Sequence, residues 1–84
     1  MLTYEEANSL VLKRHRDCKV TSTMDAGNSF IIALRPNYFR EDQIVLDGFF
    51  RVDKRTKQIS EYSPVMDPEE FKKAMKNIVY KEGK

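Results

Sequence analysis

Residues 29–35, SFIIALR, carry apolar side chains on both faces of an extended chain, and Pro36 ends the run because proline has no amide to give to a ladder. A strand of this kind needs a sheet around it and leaves two sheet faces to account for. The neighbouring runs supply the other strands. From Lys19 to Met24 the residues alternate, with Val20 and Met24 on one side and Thr21 and Thr23 on the other, and DAGN at 25–28 is the turn that follows. NYFREDQ at 37–43 reads as a polar loop holding two aromatic rings. IVLDGFFRV at 44–52 reads as a third strand, with Ile44, Leu46, Phe50 and Val52 on one side and Val45, Asp47, Phe49 and Arg51 on the other. Gly48 marks a weak point in it, a bulge or a close backbone approach.

RVDKRTKQIS, residues 51–60, packs four basic side chains and one carboxylate into ten positions. It joins the third strand to a fourth, QISEY at 58–62, and a short polar connection between two alternating runs is a hairpin loop whose charge serves to keep it solvated.

Helices flank the strands. Thr3 followed by Glu6 is a capping-box pair that starts a helix at Tyr4, with Tyr4, Ala7, Leu10 and Val11 as its apolar stripe. Near the other end, Asp67 is an N-cap, Pro68 sits where a missing amide costs nothing, and Phe71, Ala74, Met75 and Ile78 recur at helical spacing. That pattern predicts a helix from Pro68 to about Tyr80. The expected fold is α+β: helix, four-stranded antiparallel meander, helix, in one domain over residues 1–84.

Composition removes several classes of function. A chain of 84 residues buries only about 60 to 65% of its unfolded surface, so little stability is left over for strained catalytic geometry. With 15 basic against 13 acidic residues, the strong basic excess usual in phosphate-binding domains is missing. Cys18 is the only cysteine, which fits a reducing compartment, and the carboxylates in MLTYEEANSL do not suit a secretory leader. No apolar run approaches a membrane span, so the expected address is the cytosol. His15 and Cys18 lack the third group a thiol nucleophile needs, and one Cys with one His cannot close a zinc site. The three glycines, at 27, 48 and 83, make no phosphate loop. No catalytic residue, metal, cofactor or small-molecule substrate is therefore expected.

The face holding Phe30, Ile32, Leu34, Ile44, Leu46, Phe50, Val52 and Ile59 can receive both helices. In that single-layer arrangement the second face, with Ile31, Val45, Phe49, Arg51 and Tyr62, is left exposed as a partner interface. In the alternative arrangement one helix covers each face. A rival class is nucleic-acid binding through Arg14 and Arg16 at the end of the first helix and Lys54 and Arg55 on the hairpin tip, with Lys72, Lys73 and Lys76 on the last helix as a third basic group.

FFRVDKRTKQISEYSP followed by MDPEEF resembles short bacterial and phage proteins in which a VDKxTG hairpin precedes a helix, and is loosely similar to immunity protein 35 type domains. In that pattern a glycine takes the left-handed position of a bulged turn, where this chain has Lys57, at a cost of order 1 kcal/mol if the turn is kept. The resemblance implies stoichiometric binding of a protein partner without catalysis. The expectation is a non-enzymatic interaction module that binds one partner or forms a homodimer.

Overall fold

A computed structural model of the chain describes residues 2–37 and 48–82. Along them run α1 (Tyr4–Arg14), β1 (Cys18–Asp25), β2 (Ser29–Pro36), β3 (Gly48–Asp53), β4 (Ile59–Tyr62), α2 (Pro68–Met75) and β5 (Ile78–Lys81). The strands form one antiparallel sheet in the order β4-β3-β2-β1-β5. The α+β class and the meander between two helices are as the sequence predicts. Residues 38–47, which hold the expected loop and the start of the third strand, lie outside the described residues.

The strands are polar or apolar in ways that fit their places. β2 is central, pairing with β1 on one side and β3 on the other, and its residues 29–34 are all buried. The capping box of α1 forms as expected: the Glu6 amide donates to Thr3 Oγ1 at 3.2 Å and the Thr3 amide donates to Glu6 Oε1 at 3.0 Å. α1 then lays Ala7 and Val11 on the sheet face that carries Val20, Phe30, Ile32, Leu34 and Val52, with Tyr4, Leu10, Phe50 and Ile59 at the margin.

Two expectations are corrected. The helices do not share a face: α2 packs on the opposite side, over Met24 and Ile31, so the arrangement is helix, sheet, helix. Water on either face of an apolar strand such as β2 is unfavourable, and the second helix covers the second face. The last helix is also shorter than predicted and is followed by a fifth strand. Tight bonds close it, from the Lys76 amide to Lys73 O at 3.2 Å and from the Asn77 amide to Ala74 O at 2.9 Å. Ile78, Tyr80 and Lys81 then pair with Met24, Thr23 and Ser22 of β1 at the sheet edge. A short apolar run fits a helical stripe and a strand equally well by spacing alone, and the β-branched and aromatic residues here found an open ladder.

A bulge in β1 decides which residues meet which helix. Val20 is opposite Leu34 and Ser22 is opposite Ala33, so Thr21 is the extra residue, and its hydroxyl donates to Ala33 O at 3.2 Å. Val20 consequently faces α1 while Met24 faces α2, against the expectation that they share a side. Thr23, fully buried, turns toward α1 and donates from Oγ1 to Asn8 Oδ1 at 2.6 Å.

Candidate functional site

The residues expected to form a partner interface are brought together, but they are covered. Ile31 is 0% exposed and packs with Met24 and with Ala74 of α2. Phe49 meets Phe71 of α2 edge to face, with ring centroids 5.4 Å apart, and Tyr62 stacks on the same ring at 6.4 Å. The Arg51 guanidinium grips the Glu70 carboxylate with both nitrogens, one contact being 3.2 Å, and lies 5.0 Å from the Tyr62 ring centroid. Ser29 Oγ is a further, longer partner of Arg51 at 3.4 Å. Ile31, Phe49, Arg51 and Tyr62 are thus the seat of α2. Val45 lies outside the described residues.

The basic residues of the rival reading do not converge. The hairpin tip lies beside Leu2 and Glu6 at the start of α1, while Arg14 borders His15, Ser60 and Glu61 at its end. An 11-residue helix separates these places by about 16 Å. Arg16 falls just beyond the helix, and Arg55 is exposed on the hairpin. Lys54 is not a free cation. Its side chain is only 10% exposed, its ammonium bonds Asp25 Oδ1 at 2.8 Å, and it sits 4.6 Å from the centroid of Phe30. The amide of Lys54 also donates to Asn28 O, which ties the hairpin to the β1–β2 turn.

The hairpin itself is a turn built around one carboxylate. Asp53 Oδ1 accepts from the amides of Arg55 at 2.7 Å and Thr56 at 2.9 Å, and these two bonds hold the carboxyl below its ordinary range. Lys57 adopts φ 65°, the left-handed conformation expected of it.

Other reactive groups are engaged structurally. A cleft of about 520 Å³ between the β1–β2 turn and α2 is lined by Asp25, Asp67, Glu69, Glu70, Lys73 and Asn77. Three of its carboxylates have fixed partners: Asp25 holds Lys54, Asp67 caps α2 by accepting from the Glu70 amide at 3.1 Å, and Glu70 holds Arg51. Burial, and then the adjacent Asp17, push the Cys18 thiol up, the opposite of what a nucleophile needs. His15 lies against the Phe50 ring at 4.7 Å. Among the described residues no group of three or more His, Cys, Asp or Glu is placed to hold a metal, and no helix is long and apolar enough to cross a membrane.

Exposed apolar surface lies instead at the two ends of α2. Val65 and Met66 stand out on the turn before it, and Met75 at its C-terminal end is followed by Ile78, Val79 and Tyr80. Among the described residues β5 is an outer strand bonded to β1 alone; Ile78, Val79 and Tyr80 are 45%, 39% and 37% exposed, and the Tyr80 ring stacks on Tyr4 at 6.4 Å. The spacing of Met75 and Ile78 fits the stripe of a longer helix as well as it fits a strand, so this edge is not visible in the sequence. No protein-family model matches this chain, and no curated protein or solved structure does so either.

Proposed function

We propose that this chain is a non-catalytic protein-interaction module that engages its partner through the apolar edge formed by Met75 and β5. The observation that carries this reading is the run Ile78, Val79, Tyr80, three large residues each more than a third exposed on a strand that, among the described residues, has a single neighbour. Contiguous apolar surface at an unpaired sheet edge is a place where another chain gains both side-chain burial and main-chain hydrogen bonds. The engaged state of the carboxylates and the raised thiol of Cys18 support binding over catalysis. The hairpin's resemblance to immunity-type domains points the same way, and the lone cysteine suits a reducing compartment such as the cytosol.

A photo-activatable residue at Val79, compared with one at the exposed Lys72 on α2, tests the reading in cells that express the chain. The expected result is a single covalent adduct of defined mass from position 79, whether to another protein or to a second copy. An adduct yield from position 79 no higher than that from position 72 overturns it.

A further inference from the structure

Going beyond that reading, we infer that α2 is a strap latched by the Arg51–Glu70 pair, able to lift from the second sheet face while the sheet stays folded. The topology sets up the arrangement. β4 and β5 are the two outer strands, and the chain between them must cross the whole sheet, four strand spacings or about 19 Å, over the face that carries Met24, Ile31 and Phe49. The crossing element is α2, whose two ends are thereby anchored to opposite edges.

Little holds α2 down between those anchors. It contributes one fully buried side chain, the small Ala74, and one half-buried ring, Phe71. The other fastenings among the described residues are a long bond from the Tyr62 hydroxyl to Asp67 O at 3.5 Å and the two-pronged contact of Glu70 with Arg51, itself only partly shielded, with side-chain exposures of 27% and 34%. At 8 residues α2 is well below the roughly 12 to 15 at which an isolated helix holds together, so once undocked it melts. The opposite face is fastened differently: α1 buries Ala7 and Val11 fully and adds Leu10, Leu12 and Tyr4. Elements with few buried apolar groups open at a free energy below that of global unfolding. Opening would bare Ile31, Phe49, Tyr62 and the Arg51 guanidinium together, a face already shaped for a ring and a carboxylate.

Amide hydrogen exchange on the full chain tests this. Residues 69–76 are expected to exchange faster than the central residues of β2, and Glu70→Gln should raise the α2 rates about two- to fivefold while α1 and β2 rates stay unchanged. Raising salt to about 1 M on the unaltered chain should reproduce part of that selective increase, because the latch is screened. Equal exchange in α2 and β2, or acceleration of every element together by Glu70→Gln, overturns the strap. Neither result bears on the β5 edge, whose crosslinking test is read separately.

Discussion

Val20 and Met24, four residues apart in β1, point to opposite faces of the sheet and belong to different cores. In a regular strand that spacing puts them on one side, and the bulge at Thr21 is what parts them. One inserted residue lets a single strand serve a helix on each side. Deleting Thr21 is therefore expected to turn either Val20 or Met24 into the wrong environment. Urea unfolding followed by circular dichroism should lose its cooperative transition, whereas Thr21→Ala, which takes away the hydroxyl bond to Ala33 O, should cost about 1 kcal/mol.

Ile31 tests whether the second face is core or surface. Because it is fully buried beneath α2, Ile31→Ala should lower stability by about 2 to 5 kcal/mol in denaturant unfolding, and Ile31→Glu, which puts a charge under the helix, should lower it further. A folded, stable Ile31→Glu protein would mean that the face is open to water.

Lys57 carries a backbone conformation that costs an L-residue energy and glycine nothing, and its side chain is exposed. Lys57→Gly should raise the unfolding free energy by up to about 1 kcal/mol, part of the gain being offset by glycine's greater freedom in the unfolded chain. Lys57→Ala keeps the strain and should be close to neutral. The comparison of the two midpoints in urea isolates the turn.

Asp25 predicts a pH dependence with a definite sign. The Lys54 ammonium, and then the Gly27 amide, hold its carboxyl below the ordinary value of 3.8. A folded-state value lowered in this way adds stability that is fully present above 3.8 and is lost as the pH falls from there through the folded value. Thermal unfolding between about pH 5 and pH 2 should show a steeper loss for the natural chain than for Asp25→Asn. Lys54→Met should flatten the same window while keeping most of the packing against Phe30.

Much of the fold is legible in the residues themselves. The capping box of Thr3 and Glu6, the Asp67 cap with Pro68 behind it, the DAGN turn, the left-handed Lys57 and the apolar β2 are all local matters. They follow from which backbone groups a side chain can reach and which dihedral angles it tolerates. Alternation along paired strands likewise puts Ile31, Phe49, Arg51 and Tyr62 side by side.

Their role was decided only in three dimensions. Strand alternation says which residues share a face but not what lies over it, and α2 covers this face because Ala74, Phe71 and Glu70 fit against Ile31, Phe49 and Arg51. Residues 78–81 became a strand, not a fourth helical turn, because β1 offered unpaired backbone groups that no local pattern could announce. Caps and turns depend on neighbours a few residues away and can be read in order along the chain. Face, edge and cover depend on distant segments meeting, and their energies exist only once the sheet has formed.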